Sequence, residues 1–221
     1  MTLLQKSEFL NGEGDAYMER NRTALKEVPA DDPLSVHIRE HIPDKGRLLE
    51  IGCASGARLT SVIGDCNLQG YGIDPSGLAI REGSRRFPNL KLSVGVADKL
   101  PFEDSYFSVV MCGFCLYLVD RESLTRVVAE VDRVLVTGGS LIIWDFDPVV
   151  NYRNPYKHKT GLYSYKMDYS RMWTGFPHFS LIMKLPFSHA GFRFTKDVNE
   201  RLAMWVIHKE GADAGFPLLA K

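Results

Sequence analysis

The stretch "LLEIGCASGARL", residues 48–59, decides the fold of this 221-residue chain. An apolar run ends in the carboxylate Glu50, a bend between Gly52 and Gly56 follows, and helical spacing of apolar residues begins at Ala57. A strand, a glycine turn and a helix in this order are typical of the first unit of a doubly wound sheet. The two glycines allow a sharp turn and a close approach of the backbone to a ligand.

Strand and helix patterns alternate along the rest of the chain. After "RLLEIG", further strands are predicted at "QGYGID", "LKLSVG", "FSVVMCGFCLYL" and "SLIIWDF". This alternation predicts an α/β fold, with a Rossmann-like doubly wound sheet that is mostly parallel. After another short helix, the segments 191–197 and 201–209 are predicted as strands that a tight turn joins. So short a connection requires antiparallel pairing, and the sheet is therefore expected to end in an antiparallel C-terminal hairpin.

We interpret residues 1–221 as a single domain with two additions. Residues 1–46 are predicted to form an N-terminal helical cap. Residues 148–180 break the alternation and are rich in aromatic and basic side chains. Because this insertion follows the fifth strand, we predict that it is a lid over the strand ends and contacts the acceptor substrate.

Composition excludes several classes of function. The 27 basic and 27 acidic residues balance, which argues against a nucleic-acid-binding protein. Neither a signal peptide nor a membrane-spanning stretch is predicted, and the four cysteines are expected to be reduced core thiols, so we expect a cytoplasmic protein. Cys112 and Cys115 form a C-x-x-C pair, but on a strand their side chains should point to opposite faces. No metal site is predicted.

The ligand of the glycine bend is expected to contain adenosine. Asp74 ends the second strand about 20 residues beyond the bend, where a carboxylate commonly binds ribose hydroxyls. A dinucleotide and S-adenosylmethionine are the two alternatives. The charge of Glu50 would oppose a diphosphate, and Ala54 replaces the middle glycine of the dinucleotide motif. S-adenosylmethionine has no phosphate, and its ammonium and sulfonium groups would be attracted to a carboxylate.

Four segments between residues 47 and 147 resemble motifs of the class I S-adenosylmethionine-dependent methyltransferases. They are "LLEIGCASG", "YGIDPS", "VADKLPFEDSYFSVV" and "EVDRVLVTGGSLIIWDF". The earlier segment "GEGDAYMERNR" is similar, less specifically, to small methyltransferases associated with cell-surface sugar biosynthesis.

The resemblance implies a role for individual residues in binding the cofactor, S-adenosyl-L-methionine. Glu50 would support its ammonium end, Asp74 its ribose, and Asp98 its adenine amino group, and Arg20 would pair with its carboxylate. The full predicted set is Tyr17, Arg20, Glu50, Gly52, Gly56, Asp74, Pro75, Ala97, Asp98, Leu100, Cys112, Gly113 and Phe114.

The expected activity is methyl transfer to a small-molecule acceptor. The aromatic and basic side chains of the insertion favour an anionic or sugar-like acceptor, such as a sugar or sugar-nucleotide hydroxyl. A hydroxyl acceptor needs a base, for which the candidates are Asp145, Asp147, His158 and His178. A nicotinamide-dependent oxidoreductase or epimerase and a non-catalytic S-adenosylmethionine-binding module remain as alternatives. The sequence leaves the oligomeric state open.

Overall fold

The computed structural model describes residues 4–211, and within them it confirms a mostly parallel doubly wound sheet. Seven strands lie in the order β3-β2-β1-β4-β5-β9-β8. They are β1 (Lys45–Ile51), β2 (Asn67–Asp74), β3 (Lys91–Val94), β4 (Phe107–Gly113), β5 (Leu135–Phe146), β8 (Phe179–Ser188) and β9 (Arg201–Lys209). A separate antiparallel hairpin consists of β6 (Tyr152–Pro155) and β7 (Tyr163–Lys166). Neighbours among the first five strands pair in parallel.

The helices cover the sheet and its edge. They are α1 (Gln5–Glu8), α2 (Gly14–Arg20), α3 (Arg22–Lys26), α4 (Pro33–Arg39), α5 (Ala57–Ile63), α6 (Gly77–Arg86), α7 (Leu124–Val134) and α8 (Arg171–Thr174). In α7, the side chains of Val127, Val131 and Val134 are fully buried at helical spacing, so this helix packs one apolar face on the sheet. None of the helices in residues 4–211 is both long and apolar enough to span a bilayer.

The antiparallel end of the sheet exists, but one of its two strands differs from the prediction. β9 pairs with β8, which covers residues 179–188, whereas the segment 191–197 forms no strand. A short helix was expected in the region that β8 occupies. β8 is an edge strand that contains Pro186 and has a bulge between Leu181 and Met183, and both features weaken the alternation that would identify a strand.

The N-terminal helices are tied to the loops at the carboxyl ends of the strands. Asp15 in α2 accepts hydrogen bonds from the Ser76 hydroxyl (2.7 Å) and the Leu78 N–H (2.9 Å), at the start of α6. Gln5 is 3% exposed. Its side-chain amide donates to the Leu118 carbonyl (2.7 Å) and accepts from the Tyr163 N–H in β7 (2.6 Å). These contacts hold the helices over the edge of the sheet.

The hairpin β6–β7 lies within the insertion and packs on the same helices. The Tyr156 hydroxyl donates to Glu13 Oε1 at 3.0 Å, and Lys159 forms an ion pair with Glu8. The last residues of the predicted insertion, 179 and 180, belong to β8. The function of the insertion as a lid stays a prediction.

Candidate active site

A cavity of about 580 Å³ lies at the carboxyl ends of β1, β2, β4 and β5, beneath the N-terminal helices. This is the edge of a doubly wound sheet where ligands bind, because the strand order reverses there and the loops leave in opposite directions. Acidic side chains line one side of the cavity, and aromatic side chains line the other.

The glycine bend brings the backbone to the wall of the cavity. The N–H groups of Gly52 and Cys53 both donate to the Ile73 carbonyl, at 2.8 and 3.0 Å, which fixes the bend against β2. Gly52 has a φ of +76°, and a Cβ atom there would lie 2.6 Å from Cys115 Cβ. Glycine is therefore required at this position by both the backbone conformation and the close packing.

Glu50 is the most unusual charged group of the cavity. It is 3% exposed, and its Oε2 atom has no hydrogen-bond partner. Burial raises its pKa to about 8, and the neighbouring Asp74 carboxylate adds to this effect. Although Arg58 opposes the increase, its guanidinium already contacts Asp32 and the Ser35 hydroxyl. An unpartnered buried carboxylate oxygen at a cavity wall suits a cationic ligand, and the ammonium end of S-adenosylmethionine fits it.

Asp74 is held at the end of β2 by backbone donors. Its Oδ2 accepts from the Ala54 N–H at 2.9 Å, and its Oδ1 accepts from the Ser76 N–H at 2.8 Å. Burial nevertheless raises the pKa of Asp74 to about 6, against the lowering effect of these two hydrogen bonds. The carboxylate is fixed in orientation and retains acceptor capacity toward the cavity, which is what binding a ribose diol requires.

Asp98 lies on the cavity wall beyond β3 and already has partners. Its Oδ2 accepts from the Lys6 ammonium at 2.5 Å and from the Ser123 hydroxyl at 3.1 Å. Both partners also line the cavity, and neither was singled out from the sequence. Lys6 reaches the site from α1, so the N-terminal helices contribute directly to this end of the cavity.

Nine of the thirteen predicted cofactor-binding residues line the cavity. They are Tyr17, Glu50, Gly52, Asp74, Pro75, Ala97, Asp98, Gly113 and Phe114. Their individual roles stay predictions. Gly56, Leu100 and Cys112 do not line it: Gly56 begins α5 with a φ of +80°, and the other two side chains lie in the hydrophobic core.

Arg20 has a different partner from the predicted one. Its guanidinium donates to Glu13 Oε1 at 2.5 Å and to the Tyr156 hydroxyl at 2.9 Å, and it does not line the cavity. Its pairing with a cofactor carboxylate stays a prediction, and it would require Arg20 to exchange this contact with the buried Glu13, seven residues earlier in the chain.

The four predicted bases do not meet at the cavity. His158 packs edge-on against Tyr156 in the insertion, His178 lies 3.4 Å from Asp132, and Asp147 forms an ion pair with Lys184 at 2.8 Å. Asp145 is closest to the site, and burial raises its pKa to about 7. Its side chain is fully buried on the core face of β5, however, and it does not line the cavity either.

The C-x-x-C pair also differs from the prediction. β4 ends at Gly113, and Phe114 has a φ of +45°, so the chain turns before Cys115. Cys115 therefore does not continue the alternation of the strand, and the nearby Cys112 thiol, followed by burial, raises the pKa of Cys115. The prediction of diverging side chains assumed that the strand continued through residue 115.

The opposite side of the cavity is lined by aromatic rings, of which Phe114 alone was predicted from the sequence. Tyr117 packs edge-on against Phe146, with ring centroids 5.2 Å apart, and Phe114 lies 5.7 Å from Phe146. Trp144 and His189 complete this wall. The rings come from the ends of β4, β5 and β8. We call this set the aromatic wall.

Fold and site together define a Rossmann-like protein with a ligand cavity at the carboxyl ends of its parallel strands. Residues 48–139 match the sequence model of a family described as "Methyltransferase domain". This match and the sheet topology confirm the resemblance to the class I S-adenosylmethionine-dependent methyltransferases that the sequence motifs indicated.

Individual relatives are similar over part of their length. A demethylmenaquinone methyltransferase of Chlorobaculum parvum is 32% identical over 122 residues, which are 54% of this chain and 48% of that protein. A phthiotriol/phenolphthiotriol dimycocerosates methyltransferase of Mycobacterium ulcerans is 31% identical over 153 residues, which are 65% of this chain and 55% of that protein. The chain thus spans about half the length of these curated relatives.

A solved structure shares the fold over most of the chain. The 1,6-didemethyltoxoflavin-N1-methyltransferase of Burkholderia thailandensis, solved with 1,6-didemethyltoxoflavin and S-adenosylhomocysteine, aligns with a TM-score of 0.72 at 12% identity. The alignment covers 93% of this chain and 89% of that one. At this identity the similarity supports the fold alone.

Proposed function

We propose that the protein transfers the methyl group of S-adenosylmethionine to a small-molecule acceptor. The observation that carries the proposal is the unpartnered, buried Oε2 of Glu50 beside the glycine bend. When bound, the sulfonium supplies an activated methyl group, which an acceptor atom attacks in line with the departing thioether. The residues of this chain then need to hold both molecules in line and to exclude water.

Charge supports this donor over a dinucleotide. Glu50 is buried and Asp74 is half-buried at the cavity. Desolvation raises the pKa of both carboxyls, and the charge of Asp74 raises the pKa of Glu50 further. A diphosphate would add negative charge to this region, whereas an ammonium and a sulfonium would reduce the cost of ionising the carboxylates. The alternative of a nicotinamide-dependent oxidoreductase or epimerase is therefore disfavoured.

The aromatic wall favours an acceptor with a flat, largely apolar ring. Phe114, Tyr117 and Phe146 offer ring faces and edges against which such a molecule can pack. The sugar-like or anionic acceptor inferred from the sequence relied on the basic residues of the insertion. Several of these contact protein groups instead: Lys159 pairs with Glu8, and Arg153 lies over the Tyr163 ring at 4.6 Å.

Lys166 is the basic residue of the insertion that stays close to the aromatic wall. Its ammonium lies 3.8 Å from the centroid of the Phe146 ring, and burial lowers its pKa. A negative charge on the acceptor would be favourable beside it. An anionic substituent on an aromatic ring is thus compatible with both features.

Product analysis tests the proposal. The protein is incubated with isotopically labelled S-adenosylmethionine and two acceptor panels, one of phenols and hydroquinones and the other of sugar nucleotides. Formation of S-adenosylhomocysteine and a labelled methylated phenol supports the function and the acceptor class, and a labelled sugar nucleotide would support the acceptor inferred from the sequence. Tight cofactor binding without any product would favour the non-catalytic binding module. Asp74→Asn serves as the control with impaired cofactor binding.

A further inference from the structure

The aromatic wall contains one histidine, the type of side chain that acts most often as a general base in enzymes. All six histidines of the chain lie in the described residues, and of these His189 lines the cavity. Its ring stacks at 18° on Phe114 with centroids 6.4 Å apart, and lies at 6.4 Å and 64° from Phe146. An imidazole beside two aromatic rings can pack against a flat acceptor and receive its proton.

Sheet topology explains how residue 189 reaches the site. β9 is antiparallel to both β5 and β8, so β5 and β8 run in the same direction. The carboxyl end of β8 therefore arrives at the same edge of the sheet as the ends of β4 and β5. A tight turn follows immediately, in which Ser188 and Gly191 exchange backbone hydrogen bonds of 2.9 and 3.1 Å. The turn fixes the position of His189 at the cavity.

The charged groups near the aromatic wall are compatible with this role. Lys166 lies over the Phe146 ring from β7, and Asp145 precedes that residue on β5, with its carboxyl directed into the core. Asp147, the next acid along the chain, is paired with Lys184. Neither Asp145 nor Asp147 lines the cavity, and the carboxyls of Glu50 and Asp74 line it at the glycine bend, on the side opposite the aromatic wall.

We propose that His189 accepts the proton of a hydroxyl group on a planar aromatic acceptor that packs against Phe114 and Phe146. This inference rests on the proposed function and adds its substrate class and base. The hydroxyl oxygen loses its proton to an imidazole nitrogen and forms a bond to the methyl carbon, while the carbon–sulfur bond breaks and its electron pair goes to sulfur. The products are a methyl ether, a neutral thioether and an imidazolium, so the positive charge passes from sulfur to His189.

A chromogenic phenol tests the proposal without depending on turnover. 4-Nitrophenol changes its visible absorbance when it loses its proton, so its ionisation can be followed in the complex of the protein with S-adenosylhomocysteine. We expect bound 4-nitrophenol to ionise at a pH at least about one unit below that of the free compound, because an imidazolium forms beside the phenolate. His189→Gln should abolish most of this change.

Two further variants separate proton acceptance from packing and from general effects. His189→Phe keeps a ring that can stack on Phe114, so it should still bind 4-nitrophenol but lose the change in ionisation. His208→Gln removes a histidine of β9 remote from the cavity lining and should behave as the wild type.

The outcomes distinguish this inference from the proposed function, because calorimetry of S-adenosylhomocysteine is run on the same samples. Binding of S-adenosylhomocysteine without binding of 4-nitrophenol would overturn the aromatic acceptor. An ionisation change that persists in His189→Phe and His189→Gln would overturn the role of His189. Failure of the wild type to bind S-adenosylhomocysteine would reject the proposed function itself.

Discussion

The substitution Glu50→Gln removes the buried charge beside the glycine bend and keeps the size of the side chain. Burial raises the pKa of Glu50 from its ordinary value of 4.5 to about 8. Between these pH values the unfolded chain has released the proton that the folded protein still holds. The free energy of unfolding of the wild type should therefore fall as the pH rises through this range.

The size of the effect follows from the same linkage. One proton difference changes the free energy of unfolding by about 1.4 kcal/mol per pH unit, so Glu50 alone should cost the wild type roughly 4 kcal/mol between pH 5 and pH 8. This is a large part of the stability of a typical domain. The glutamine of Glu50→Gln does not titrate. The free energy of unfolding of this variant, relative to that of the wild type, should therefore increase by roughly 4 kcal/mol between pH 5 and pH 8.

Urea unfolding followed by tryptophan fluorescence, in steps from pH 5 to pH 9 without ligand, measures the difference. Asp145 also has a raised pKa, of about 7, but both proteins contain it and its effect cancels. Asp74 interacts with Glu50, so the comparison is repeated in an Asp74→Asn background, which removes the contribution of Asp74. Glu103→Gln, at an exposed position, is the matched control and should follow the wild type. Two results would refute the raised pKa of Glu50. In the first, the difference in unfolding free energy between Glu50→Gln and the wild type does not change with pH. In the second, the wild type becomes more stable relative to Glu50→Gln as the pH rises.

Three further predictions concern the cavity. Asp74→Asn should weaken binding of S-adenosylmethionine in calorimetry by about 1 to 3 kcal/mol, the cost of losing hydrogen bonds to a charged group; unchanged affinity would reject the ribose assignment. Gly113→Ala should lower the free energy of unfolding by about 1 to 3 kcal/mol, because its Cβ would lie 1.9 Å from a Trp144 ring atom; a variant as stable as the wild type would show that the ring moves freely. Lys166→Met should weaken binding of 4-nitrophenolate about fivefold and leave S-adenosylhomocysteine affinity unchanged, since two opposite charges near a protein surface attract each other by about 1 kcal/mol. The exposed Lys157→Met is its control, and equal losses in both variants would contradict a local role.

The parallel core of the fold was predictable because its strands are buried on both faces. Such strands have continuous apolar runs, as in β4 and β5, and glycine or acidic residues mark their ends. β8 was missed because an edge strand has one neighbour and exposed apolar side chains such as Leu181 and Ile182, which obscure the period of two. The segment 191–197 has alternating aromatic residues, but it connects β8 to β9 and pairs with neither as a strand.

The acidic side of the cavity was predictable from strand ends, and the aromatic side was not. Glu50 and Asp74 lie in or directly after strands whose direction is known from the parallel pattern. His189 reaches the cavity only because β8 runs in the direction of β5, a fact that requires the pairing of the C-terminal strands. The partner of Arg20 was also beyond reach, since Glu13 precedes it by seven residues across a kink between two helical segments.

Calorimetric titration of the wild-type protein with S-adenosylmethionine and, separately, with NAD⁺ tests the central claim most directly: a cationic donor without phosphate binds across the glycine bend beside Glu50. We predict saturable one-to-one binding of S-adenosylmethionine that Glu50→Gln weakens, and no competing binding of NAD⁺. Tight binding of NAD⁺, with no heat from S-adenosylmethionine, would contradict the claim.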